Sequence, residues 1–271
     1  MEKGLKIRSY DGTVLDGTYS ASEQRGRAVA VLVHGITSSR DEFGLFSGLA
    51  EHLARGGTPS VRFDYRCHGK SEQPMECLTL SGVVNDIEAA AQAGVSMSKA
   101  SHVYVVGMSF GGGLAAYWAA TTSLSVRGVV LLAPVIDYEE DVLGQHGAIV
   151  DGNLSDEAAG ALARQGYVEM DGIRYGPPLV NELRFISGVE GLRRLACDVL
   201  IVHGDADSIV PFASSERFAR LHDHCELINI PGTDHGFGVG DDDDLSSPET
   251  KAKHREVWGI ISRFIATGYH G

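Results

Sequence analysis

The chain has 271 residues, more than one average domain and fewer than two, so a single large α/β domain or a domain with one insertion is expected. With 43% hydrophobic residues, 22% charged residues and 8 prolines, the composition excludes a disordered, collagen-like or repeat chain. The 23 Lys and Arg against 36 Asp and Glu leave a formal charge of −13, so nucleic acid or an anionic membrane would have to bind against the average field.

Residues 1–10 carry Glu2, Lys3, Lys6 and Arg8 and no apolar stretch, which predicts no secretory signal. The longest near-continuous apolar runs, 28–33 and 126–135, fall far short of the roughly 20 residues of a membrane-spanning helix. A soluble, cytoplasmic protein is the expectation. Cys67, Cys77, Cys197 and Cys225 are scattered without a C-x-x-C and are read as reduced thiols. Segments 5–10 and 13–19 flank Asp11-Gly12, whose tolerance of positive φ predicts an antiparallel hairpin. Short β-rich runs then follow at 28–33, 60–64, 102–106, 127–132, 198–203 and 225–230. They alternate with helix-compatible stretches at 41–55, 79–94, 109–122, 212–222 and 249–266. That alternation predicts an α/β fold with a mostly parallel central sheet and helices on both faces.

Residues 137–192 interrupt the rhythm, since a simple crossover needs only about a dozen residues. They are expected to form a small lid, with helices near 155–165 and 178–186, inserted into a core of 1–136 and 193–271. No internal repeat is present. Asp241 to Asp244 are adjacent like charges, read as a solvated loop and not as a calcium site.

Gly107-Met108-Ser109-Phe110-Gly111 directly follows the predicted strand at 102–106 and opens a predicted helix. A G-x-S-x-G sequence in that context forces the Ser into a sharp turn and presents its hydroxyl above the sheet edge. A hydroxyl becomes nucleophilic only when a base takes its proton, and the base needs a carboxylate to fix its tautomer. Both follow in the sequence. The strand at 199–202 runs into His203-Gly204-Asp205-Ala206-Asp207, and the strand at 227–230 runs into Thr233-Asp234-His235-Gly236-Phe237. In a parallel sheet the C-terminal strand ends share one edge, so Ser109, an Asp of the first loop and His235 can converge.

These motifs, with Val33-His34-Gly35-Ile36 and the run from Phe63 through Asp64-Tyr65-Arg66-Cys67-His68-Gly69-Lys70 to Ser71, make almost the whole chain resemble the α/β-hydrolase superfamily. Within it the likeness is to small esterases and acyl-peptidase-like enzymes, a group that includes cinnamoyl and feruloyl esterases. The resemblance implies the order Ser109, Asp207, His235 for nucleophile, acid and base. Asp205 and Asp234 are the competing neighbours. It also implies backbone oxyanion donors at Ile36 and Phe110. His34, read mainly as organising its loop, is a candidate substrate contact together with Tyr138 and Asp137. His68 is read as a loop brace, and the aromatic and apolar residues of the insertion, Tyr138, Tyr167, Tyr175, Leu179 and Phe185, as an acyl or aryl pocket or a mini-core.

Weaker motifs fail on detail. Gly69-Lys70-Ser71 ends like a phosphate-binding loop, but Asp64 stands where its first glycine is required. Gly111, Gly113 and Ala116, with Asp137 beyond them, mimic a dinucleotide fingerprint yet lie inside a predicted helix. His222 and His224 lack a third ligand, so no metal and no cofactor is expected. The expected activity is hydrolysis of a small-molecule carboxylic ester or thioester through an acyl-enzyme. An acyltransferase or biosynthetic thioesterase with the same triad is the alternative, and a non-catalytic binding protein on this fold the more remote one. Whether the chain forms a homodimer is left open.

Overall fold

A computed structural model gives the fold and describes residues 1–23, 26–71, 73–242 and 244–267. β1 (Glu2–Arg8) and β2 (Val14–Ser20) pair antiparallel around the Asp11-Gly12 turn, in which Thr13 N–H donates to Asp11 Oδ1 at 3.0 Å and Gly12 takes φ +91°. Then come β3 (Ala28–Val33), α1 (Leu45–Arg55), β4 (Ser60–Phe63), α2 (Leu80–Ser98), β5 (His102–Met108), α3 (Phe110–Thr121) and β6 (Val126–Leu132). The following stretch carries β7 (Ile149–Val150), β8 (Asn153–Leu154), α4 (Asp156–Gln165), β9 (Val168–Met170), β10 (Ile173–Tyr175), α5 (Pro177–Glu182) and α6 (Gly188–Arg194). β11 (Asp198–Gly204), α7 (Phe212–Ala219), β12 (Cys225–Ile230) and α8 (Pro248–Thr267) complete the order.

Eight strands form one sheet in the order β1-β2-β4-β3-β5-β6-β11-β12, antiparallel at β1/β2 and β2/β4 and parallel elsewhere. This is the α/β-hydrolase architecture. The strands are near-continuous apolar runs because both faces of the sheet are covered. In β3, Val29, Val31 and Val33 pack into the core beneath α2 and α3, while Ala30 and Leu32 join the core beneath α1 and α8. Period-two alternation therefore feeds two cores from one strand. Leu45, Phe46, Leu49 and Leu53 of α1, with Val257, Ile260, Ile261 and Phe264 of α8, form the helical side of the second.

The register sets the chemistry. Val33 pairs with Gly107, Met108 with Leu132, Leu132 with Val202 and Gly204 with Ile230, so the strands end along a common edge. Asp242 in the acidic loop accepts the amides of Ser246 and Ser247, and Asp243 lies outside the described residues. Among the described residues no helix is long and apolar enough to cross a membrane, and no cluster of metal-ligating side chains occurs.

Within 137–192 the helix near 155–165 forms as α4, capped by Ser155 Oγ, which accepts from Ala158 N–H at 3.2 Å. The segment 178–186 is helical only to Glu182, and the two short hairpins and α6 were not predicted. Helix α6 is short and has only Val189 and Leu192 as apolar side chains, so its pattern is faint. Its glycines explain it. A Cβ on Gly188 would stand 2.8 Å from Gly113 Cα, and one on Gly191 2.7 Å from Tyr117 N, so α6 lies backbone-close on α3. Gly191→Ala should therefore lower unfolding free energy by about 1–3 kcal/mol, the usual cost of overpacking; denaturant melts of the purified chains measure it.

Candidate active site

Ser109 stands between β5 and α3 at φ 50° and ψ −122°, a conformation costing about 1–3 kcal/mol for a non-glycine residue. Surrounding backbone over-determines it. Ser109 N–H donates to Leu132 O at 2.9 Å, and Ser109 O accepts from Val135 N–H at 3.0 Å and Gly112 N–H at 2.8 Å. The flanking glycines answer to crowding: a Cβ on Gly107 would lie 2.6 Å from Gly111 O, and one on Gly111 2.5 Å from His34 O. The motif is thus a packing requirement that leaves the serine at the edge of a cavity.

Asp207 follows β11 and His235 follows β12. The Asp207 side chain is 0% exposed, and its Oδ2 lies 2.7 Å from His235 Nδ1. Oδ2 also lies 2.9 Å from His203 Nε2, while Oδ1 accepts the amides of Ile209 and Val210, each at 2.8 Å. Burial opposes the carboxylate charge, but the bonds from His203 and His235 outweigh it and hold Asp207 well below the usual carboxylate range. A carboxylate accepts only, so His235 carries its proton on Nδ1 and turns Nε2 free as a base. The ring is 17% exposed and open to a substrate. Among the described residues no hydrogen bond joins Ser109 Oγ to His235. The competing neighbours have other work: Asp205 accepts from Asn229 Nδ2 and Gly232 N–H, and Asp234 from the amides of Gly236 and Gly238.

His203 is a partner of the Asp207 carboxylate that sequence reasoning missed. It is fully buried behind Asp207, with Nδ1 2.7 Å from Ser215 Oγ. In the sequence it is only the first residue of the run that carries Asp207, and no role is read for it there.

The turn after β3 is clamped on three sides. Gly35 O accepts from Tyr65 Oη at 3.0 Å and from His34 Nδ1 at 2.7 Å, and Thr37 N–H donates to His68 Nε2 at 3.1 Å. A trans peptide points its N–H opposite to its C=O, so fixing the Gly35 carbonyl turns the Ile36 N–H away from Tyr65. Phe110 is the first residue of α3, where a helix leaves its amides without intrahelical partners. Ile36, Phe110 and Ser109 line one cavity of about 340 Å³.

None of the three residues offered as substrate contacts lines the cavity, and His34 keeps its main reading as an organiser of its loop. His34 is 0% exposed, stacked on Tyr65 at 3.9 Å, and burial holds its pKa well below the ordinary value, so it is a neutral brace. Tyr138 is 1% exposed and donates its hydroxyl to Phe110 O. Asp137 accepts from Glu140 N–H and does not line the cavity; Asp141, one turn further on, does. Both rings are buried because their polar atoms serve backbone groups, which a linear sequence does not show. Burial pushes the Asp141 carboxyl up to about 6, against a bond from the Asp137 amide.

The family model described as "Serine aminopeptidase, S33" matches residues 24–164, just over half of the chain. The chain belongs to this family. The match includes Ser109 and the turn after β3 and stops before Asp207 and His235. This hydrolase is 26% identical over 248 residues to 2-(acetamidomethylene)succinate hydrolase of Mesorhizobium japonicum, covering 80% of the present chain and 85% of that one. Its fold is that of Est1E from Butyrivibrio proteoclasticus with ferulic acid bound, at TM-score 0.77 and 21% identity over 97% and 100% of the two chains. The mouse alpha/beta hydrolase domain-containing protein 10 superposes at TM-score 0.73 with 18% identity over 98% of each chain.

Replacing His203 leaves a buried Asp207 lone pair unmet, which costs about 1–3 kcal/mol. His203→Leu in this hydrolase should lower the unfolding midpoint and also weaken turnover, through a less firmly oriented His235; melts and steady-state kinetics on one preparation test both.

Proposed function

We propose that the protein cleaves a small carboxylic ester through an acyl-enzyme on Ser109. The observation that carries this reading is the fully buried Asp207 carboxylate, 2.7 Å from His235 Nδ1, on the same strand edge as the strained Ser109 turn. His235 Nε2 takes the Ser109 proton as Oγ attacks the ester carbonyl. The Ile36 and Phe110 amides receive the oxyanion, and Asp207 stabilises the imidazolium. Collapse expels the alkoxide, which leaves as alcohol with the proton from His235. Water, deprotonated by the same ring, then attacks the acyl-enzyme and frees the acid and Ser109.

Residues 137–192 act as the lid in this reading. They supply Val142, Ile173 and Tyr175 as an apolar wall, and Asp141, His146 and Asp171 as a polar one. His146 Nε2 lies 3.2 Å from Asp171 Oδ2, which bridges two parts of the segment across the cavity wall. A space of about 340 Å³ suits a short or aryl acyl group, and the Est1E likeness, with its bound ferulic acid, supports that size class. Thioesters require the same machinery.

The test is turnover of matched aryl ester, thioester, amide and peptide substrates by wild type, Ser109→Ala, His235→Ala and Asp207→Asn. Wild type should favour the esters, and each variant should lose about 10⁴-fold in kcat. Turnover of the amide or peptide alone would replace the ester reading, and near-normal rates in Ser109→Ala would remove the nucleophile.

A further inference from the structure

Glu42 was no candidate in the sequence, yet its carboxyl is the most deeply placed unexplained charge beside the site. The residue is 6% exposed, and no Lys or Arg pairs with it among the described residues. It opens a turn before α1 in which Glu42, Phe43 and Gly44 have φ of 44°, 50° and 94°. Two successive non-glycine residues in the left-handed region are strained. That turn sends Glu42 inward and leaves Phe43 65% exposed.

The carboxyl meets the proposed machinery at three points. Oε2 accepts the Gly35 N–H at 2.7 Å. Both oxygens stand 3.7 Å from the place a Gly35 Cβ would occupy, and Ser109 Cβ stands 3.3 Å from the same place, so carboxyl and nucleophile flank Gly35. The titratable groups that interact with it are His235, from the loop after β12, and Tyr65, from the loop after β4. Burial pushes the carboxyl up to about 7, while the Gly35 bond, then the Ser38 side chain and then the His235 charge pull the other way. Ionisation therefore strengthens its hold on Gly35 and His235.

We propose that Glu42 is a positioning residue for acyl transfer: its carboxylate fixes the Gly35 amide, and through it the Ile36 N–H, and its charge favours the His235 imidazolium formed as Ser109 attacks. This rests on the triad reading above. The ionised form is the active one, so activity gains a step as pH rises through about 7. Stability has the opposite sign. A carboxyl whose folded pKa exceeds its ordinary 4.5 binds more protons folded than unfolded, so between 4.5 and about 7 its contribution falls as pH rises.

The experiment compares full-length wild type, Glu42→Ala, Glu42→Gln and Ser109→Ala on an aryl acetate from about pH 5 to about pH 9, with thermal melts at each pH. Glu42→Ala should lose about tenfold or more in kcat with KM within about twofold, part of the loss seen when an oxyanion donor is removed. Glu42→Gln keeps an oxygen for the Gly35 amide. It should return to within about threefold of wild-type kcat, keep the acid limb that His235 imposes as the base but lose the second ionisation that Glu42 adds in wild type, and melt with a flatter pH dependence across the acid range. Should Glu42→Ala not fold, the Gln pH profile decides alone. An unchanged kcat in Glu42→Ala, or a wild-type pH profile in Glu42→Gln, overturns the role. If Ser109→Ala is inactive and Glu42→Ala is normal, only Glu42's role falls; if Ser109→Ala stays active, the triad reading falls first.

Discussion

The molecule depends on the alignment of parallel strand ends. Because Val33, Met108, Leu132, Gly204 and Ile230 lie in matched register, the chain leaves the sheet at one edge each time it emerges. Every candidate group sits just past such an exit: Ile36 after β3, Ser109 after β5, Asp207 after β11 and His235 after β12. The register is strongly specified, since a one-residue slip would exchange the side chains of the two cores. The two cores therefore guard the geometry of the site, and the larger one also lends Phe110, Val142 and Tyr175 to the cavity wall.

The loops at that edge are held by buried polar groups. Asp64 accepts Arg40 N–H at 2.7 Å, the Arg40 guanidinium at 2.9 Å and Lys70 N–H at 3.0 Å, tying the turn after β3 to the one after β4. Gly69, at φ +54°, has to be glycine, because any Cβ there would also fall 2.4 Å from the Asp64 carboxyl carbon. Arg66 reaches the fully buried Asp86 and the exposed Asp11, which connects the same loop to the first hairpin. Several acids of this chain are thus structural acceptors for main-chain amides and guanidinium groups, so its formal charge of −13 says less about substrate than about solubility.

The eight sheet strands and the large helices were legible because most carry a sustained apolar run or an apolar helical face, and they fall within a few residues of the expected bounds. The G-x-S-x-G turn was legible because backbone crowding leaves its glycines little freedom. Tyr138, His203 and Glu42 were misread or missed for a shared reason. Each is a polar side chain whose part is set by which distant backbone group it meets, as Glu42 meets Gly35 and Tyr138 meets Phe110. The short hairpins of the insertion escaped because two- and three-residue strands have too few positions to show a period.

The seam between α6 and α3 bears on how such chains diversify. Gly188 and Gly191 press the last turns of the insertion against Gly113 and Tyr117, on the very helix that Phe110 begins. The inserted segment and the helix that follows Ser109 are therefore one mechanical piece. A graft that exchanges the cap with a relative's must carry residues 188–194 along with it, or choose a donor whose own helix is equally bare of side chains, because the boundary that matters lies in shape and not at either end of the loop.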